Sequence, residues 1–176
     1  MRYVALLRGI APANPKMRNE NLRGVIEALG YERVETVISS GNVLFDAETT
    51  DVRALEDRIE AAWPEHLGFS STTIVRSAEQ IHALAGGDPF DGRPDERASS
   101  LQVTFLKDPP TLRLDLPYTP EAADYTVVAA DPGTVFSVVD LTRSRTPDLM
   151  RWLERTFGKQ ITTRTWKTVH RLARKL

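Results

Sequence analysis

The side chains best suited to chemistry in this 176-residue chain are arginines, and the chemistry they suit is the holding of anions. Asp140, Arg143, Arg145 and Thr146 fall between a strand pattern and a helix start, where open backbone N–H groups and guanidinium forks are able to hold a phosphate or carboxylate. The plainer account pairs these arginines with surface carboxylates, where each pair contributes little. A second group draws on distant parts of the chain. Arg8 ends the first strand pattern and Arg164 precedes the last helix pattern, so Arg8, Asn42, Arg164 and Trp166 are candidates for one ligand pocket between two lobes. Against that, Ser40, Gly41 and Asn42 also read as a plain turn and Trp166 as a packing residue.

Much other chemistry is excluded. The chain has no cysteine, which removes disulfides, thiolate zinc sites, iron–sulfur ligation and cysteine nucleophiles. It carries no Walker A sequence, dinucleotide glycine fingerprint, nucleophile elbow or HExxH pair. His66, His82 and His170 lie far apart, each on or beside a helix pattern and without a second ligand two to four residues on, so they read as surface or half-buried histidines. The expectation is therefore no metal and no cofactor, with the choice between enzyme and binding protein left open.

Charge is unevenly spread. Net charge is −1, yet residues 142–176 hold ten Lys and Arg against Asp148 and Glu154, a balance of +8 that leaves −9 in residues 1–141. Such asymmetry fits an anionic partner, nucleic acid included, and fits equally an acidic body folded against its own basic tail. An RNA-binding sheet needs two or three exposed rings, whereas the central strand pattern offers only Phe45, which alternation with Val43 assigns to the core. No apolar run approaches the roughly 18–20 residues of a membrane helix, and Val4–Leu7 is too short for a signal core, so a cytoplasmic protein without membrane partners is expected.

The elements that must position these residues follow from periodicity. Arg2–Arg8 reads as a strand apolar on both faces, hence central. Leu22, Val25, Ile26 and Leu29 form the stripe of an amphipathic helix that Gly30 ends. Val34–Ile38 and Asn42–Phe45 are strands of a hairpin. Val52, Leu55, Ile59 and Trp63 mark a second helix after the capping oxygens of Thr49, Thr50 and Asp51, with Pro64 near its end. Ser71–Arg76 is a strand, and Ser77 with Gln80 forms a capping box before a short helix closed by Gly86 and Gly87.

The second half begins with a strand through Leu101, Val103 and Phe105, followed by a Pro-interrupted connection unsuited to a full helix. Tyr125–Ala129 and Val135–Leu141 form a hairpin across Asp131, Pro132 and Gly133. Thr146 caps and Pro147 starts a helix with Leu149, Trp152 and Leu153, which Gly158 ends. Ile161–Thr163 is a short edge strand, and a basic amphipathic helix from about Trp166 buries Val169, Leu172 and Leu176.

The β-α-β-β-α-β order of the first half is the split βαβ arrangement. The expected class is α+β, with two tandem ferredoxin-like lobes packed together: 1–88, then 98–176 with the basic helix, joined by a turn-rich junction 89–97 that only Phe90 is able to pin. Both halves place a hairpin between helical stretches, so a duplicated lobe is inferred from element order alone, identity between the halves being negligible.

Three blocks then carry a resemblance to the bacterial domain of unknown function 1697 (DUF1697) family: YVALLRGI, Tyr3–Ile10, with its helix through Gly30; VISSGNVLFDA, Val37–Ala47; and ITTRTWKTVHRL, Ile161–Leu172. The resemblance implies two ferredoxin-like lobes and no particular activity. Relatives typically follow RGI with Asn-Val-Gly-Gly, where Ala11, Pro12, Ala13 and Asn14 stand here, and Thr165 and Lys167 replace two asparagines of the late block.

Taken together, these readings lead to binding of a small phosphate- or carboxylate-bearing ligand between the lobes by Arg8, Asn42, Arg143, Arg145, Arg164 and Trp166. The alternatives are an enzyme acting on an anionic metabolite, and a nucleic-acid-associated module using the basic C-terminal segment. Oligomeric state is not readable from the residues.

Overall fold

A computed structural model describes residues 1–110, 114–143 and 148–176. The described residues form a mixed α and β protein with two four-stranded antiparallel sheets and five α-helices. They divide into two units, one of Met1–Leu84 with Arg171–Leu176 and one of Ala85–His170. No helix among the described residues is long and apolar enough to cross a membrane.

In the first unit the elements are β1 (Arg2–Leu7), α1 (Asn19–Ala28), β2 (Glu32–Thr36), β3 (Asn42–Asp46), α2 (Val52–Leu67), β4 (Thr73–Ser77) and the start of α3 (Ala78–Gly86). The strands lie in the order β2-β3-β1-β4. β1 is central, with Ala5 opposite Val43 on one side and Val75 on the other. Its continuous apolar run is explained by burial of both faces: Tyr3, Ala5 and Leu7 join the core with Leu22 and Ile26 of α1 and Leu55, Ile59 and Trp63 of α2, while Val4 and Leu6 are fully buried as well. Each fully buried Val, Leu or Ile side chain among these stabilises the fold by about 1.5–3 kcal/mol.

The caps follow the local sequence. Gly30 has φ +83° directly after α1, Asp51 accepts the Ala54 N–H at 3.0 Å, and α2 closes on Gly68 at φ +73°, one turn beyond Pro64. Ser77 and Gln80 make both bonds of a capping box, 2.9 Å from Ser77 N to Gln80 Oε1 and 3.2 Å from Gln80 N to Ser77 Oγ. β2 departs from expectation. It spans Glu32–Thr36, and the β-branched Val37 and Ile38 that suggested a continuing strand belong to the turn, with Ile38 at φ +51°. Asn42 imposes this: its backbone carbonyl takes the Val37 N–H at 3.0 Å and its amide reaches back to the Val37 carbonyl at 2.9 Å.

In the second unit β5 (Ser99–Leu106), β6 (Tyr125–Asp131), β7 (Thr134–Asp140) and β8 (Ile161–Thr165) lie in the order β6-β7-β5-β8, with α4 (Leu149–Phe157) before β8 and the start of α5 (Trp166–Ala173) after it. No helix is present in residues 107–110 and 114–124. Asp131 Oδ1 accepts the Gly133 N–H at 2.8 Å and closes the β6–β7 hairpin. Phe90 does pin the segment before β5: it is 1% exposed, edge-on to Phe136 at 5.7 Å and to Trp166 at 5.3 Å. Thr146 and Pro147, the expected start of α4, lie outside the described residues.

Strand register also uncovers a local likeness between the halves. Arg76 lies opposite Val4 and Arg164 opposite Val103, each one residue before its strand ends. The next hydroxyl, Ser77 or Thr165, accepts the N–H three residues on at 3.2 Å. From there RSAEQIHALA (76–85) and RTWKTVHRLA (164–173) share Arg, His, Leu and Ala at the same spacing. Identity between the halves is therefore not negligible at this strand–helix corner.

Candidate functional site

The described arginine of the first expected cluster, Arg143, stands just beyond β7. Asp140, the last residue of that strand, accepts the Thr142 backbone N–H at 2.9 Å and its hydroxyl at 2.6 Å, and the Thr142 bonds hold its carboxyl below the usual carboxylate range. Arg143 Nη1 donates to the Ala123 carbonyl at 3.1 Å, tying the end of β7 to the segment entering β6. Arg143 lines a 320 Å³ cavity together with Glu121, Ala123, Asp124, Tyr125, Asp148 and Arg155. A neighbouring 240 Å³ cavity shares Asp124, Tyr125 and Arg143 and adds Ser99, Thr119, Thr126 and Val138. Arg145 and Thr146 lie outside the described residues.

Tyr125 and Arg155 were not among the expected site residues. Arg155 comes from the last turn of α4, where only the helix's direction decides which cavity it meets. Tyr125 is buried, and burial, followed by the nearby Tyr118, pushes its hydroxyl above the ordinary tyrosine value. Trp152 of α4, 6.0 Å from Tyr125 and 5.6 Å from Tyr118, packs this end of the sheet.

The residues expected to share one pocket divide between the units. In the first, Arg8 follows β1, its backbone N–H bonded to the Thr72 carbonyl at 2.9 Å and its own carbonyl accepting the Ser71 hydroxyl at 2.8 Å. Asn42 is 1% exposed, and its amide donates to the Val37 carbonyl and to Ser40 Oγ, both at 2.9 Å, which is the turn-forming role. In the second, Arg164 is 7% exposed and donates to Thr162 Oγ1 at 2.7 Å and to the Thr163 carbonyl at 2.9 Å. Burial lowers its pKa to about 10. Trp166 is half-buried against Phe90 and lies 4.5 Å from the His170 ring.

The histidines keep apart: His66 ends α2, His82 Nε2 lies 2.9 Å from the Ala173 carbonyl, and His170 packs on Trp166. No group of three His, Asp or Glu side chains placed to hold a metal is found among the described residues. The basic segment meets acidic partners, with Lys167 3.7 Å from Asp95 and Lys175 3.7 Å from Glu35.

No curated protein matches the chain. Its fold is similar to that of a conserved bacterial protein from Streptococcus pneumoniae, with a TM-score of 0.73 over 99% of this chain and 97% of that one at 23% sequence identity. The family model described as "Protein of unknown function (DUF1697)" matches residues 1–136, which take in the first two of the three sequence blocks, so this chain belongs to the DUF1697 family.

Proposed function

We propose that this protein binds a small phosphate- or carboxylate-bearing ligand in the second unit, with Arg143 and Arg155 as the anion-holding groups. The observation that carries the reading is that Arg143 and Arg155 both line one 320 Å³ cavity. That volume suits a metabolite-sized ligand, and guanidinium forks match the planar oxygens of carboxylate and phosphate. Ala123 holds Arg143 by its carbonyl and so limits the side-chain entropy that binding must remove.

The reading includes a fold assignment, two α/β plaits of ferredoxin-like type. It is supported by the strand order, which in each unit runs second, third, first, fourth. The ion pairs of Lys167 and Lys175 favour the ligand reading over a nucleic-acid role for the tail, because these cations face carboxylates of their own unit.

Thermal-shift measurements with inorganic phosphate, sugar phosphates, nucleotides and di- and tricarboxylates test it. A ligand at 100 times its dissociation constant adds about 2.7 kcal/mol of stability. A shift that vanishes in Arg143→Ala and Arg155→Ala supports the assignment; no shift with any of these anions overturns it.

A further inference from the structure

β4 is the edge strand of the first sheet, bonded within it to β1 alone. An edge of this kind presents a row of backbone N–H and C=O groups to any strand that arrives. The ladder bond from Arg8 N to Thr72 O sets the phase, so the N–H groups of Thr73, Val75 and Ser77 point away from β1. All three are taken by side chains. Thr73 N donates to Glu60 Oε1 at 2.7 Å, Val75 N to Glu56 Oε1 at 2.9 Å and Ser77 N to Gln80 Oε1 at 2.9 Å. Arg76 Nη1 donates to the Val75 carbonyl at 2.8 Å and so occupies an acceptor of the same edge.

Glu56 and Glu60 stand one turn apart on α2, which Trp63, a further turn part on, ties to the same strand through Nε1 and Thr73 Oγ1 at 2.9 Å. Glu56 is 3% exposed, and a carboxylate is brought so far from water only where specific bonds compensate. Its partners include the Val75 N–H and, at 3.5 Å, Arg53. An apolar side chain at this place on α2 would avoid the desolvation cost while leaving the strand's donor without an acceptor.

We propose that Glu56, Glu60 and Gln80 form a lock on the outer edge of β4 that prevents this strand from pairing with a strand of a second copy of the chain. The lock is independent of the ligand reading, since none of its residues lines the Arg143 cavity.

The test uses the full chain, with Glu60→Ala and with Glu56→Ala/Glu60→Ala. The expected result is at least tenfold faster amide exchange at Thr73 in the single variant and at Thr73 and Val75 in the double. The double variant also gains a concentration-dependent dimer by sedimentation, which adding Val75→Pro abolishes. Glu60 is half-buried, so the single variant reports on the lock even if the double variant fails to fold. Unchanged exchange at Thr73 in Glu60→Ala overturns the proposal, and so does a folded double variant that stays monomeric or a dimer that persists with Val75→Pro.

Discussion

A Cβ on Gly41 would lie 2.6 Å from Cγ1 of Ile10, so the turn before β3 and the segment after β1 meet with no room for a side chain. Leu7, whose N–H donates to the Gly41 carbonyl at 2.8 Å, closes the same contact from the other side at 2.9 Å. Two of the blocks that mark the family in this sequence are therefore one packing unit.

Gly41→Ala is expected to be severe, because it adds an overpacking clash to a backbone at φ +74°. Together these cost about 2–5 kcal/mol. Gly9→Ala has a similar φ of +71° and nothing within 4 Å, so it incurs only the backbone cost of about 1–2 kcal/mol. Thermal unfolding of the two variants side by side checks the ordering.

Arg164 is expected to reduce stability through its charge while contributing through its volume. Arg164→Met keeps most of the volume and removes the buried charge, and is expected to be at least as stable as the parent at neutral pH. Arg164→Ala leaves a void and is expected to lose about 2–4 kcal/mol.

The same residue predicts a pH signature. With a folded-state pKa of about 10, below the ordinary arginine value, the desolvation cost is constant in acid and neutral solution. It is relieved as pH rises above about 10, where the folded chain sheds the proton that the unfolded chain still holds. Urea unfolding of the parent and Arg164→Met from pH 7 to 11 should show the difference between them narrowing only above that point.

Tyr3 acts in the opposite direction. Burial raises its pKa above 10.0, so the stability it contributes is complete below that value and is lost as the solution becomes more alkaline. Tyr3→Phe is expected to cost about 1 kcal/mol at pH 7, the hydroxyl bond to the Thr49 carbonyl, and to flatten the alkaline loss. Measuring both chains by urea unfolding at pH 7 and pH 10.5 separates the two effects.

For the ligand site, Arg143→Ala and Arg155→Ala are each expected to weaken binding of a responding anion by roughly 10- to 100-fold, from hydrogen bonds to charged groups of about 1.5–3 kcal/mol. Titration calorimetry with that anion reads the change. Asn42→Ala removes a turn-forming amide, so its expected effect is a lower melting temperature with the binding constant retained.

What the residues determined by themselves is the local part of this protein. Helix stripes, the Ser77–Gln80 capping box, glycine stops at Gly30 and Gly158 and the turn Asp131–Gly133 all depend on neighbours a few positions away, and periodicity exposes them. The family blocks were legible for the same reason. Tertiary structure decided what depends on distant partners. Asn42 and Arg164 look like free polar groups until folding places one in a turn and buries the other. Arg155 and Tyr125 meet Arg143 only because α4 and β6 come together at the end of β7, and Glu56 finds the Val75 N–H nineteen residues away. A side chain's type states which bonds it is able to make, whereas burial and strand phase, both properties of the whole chain, select the one it makes.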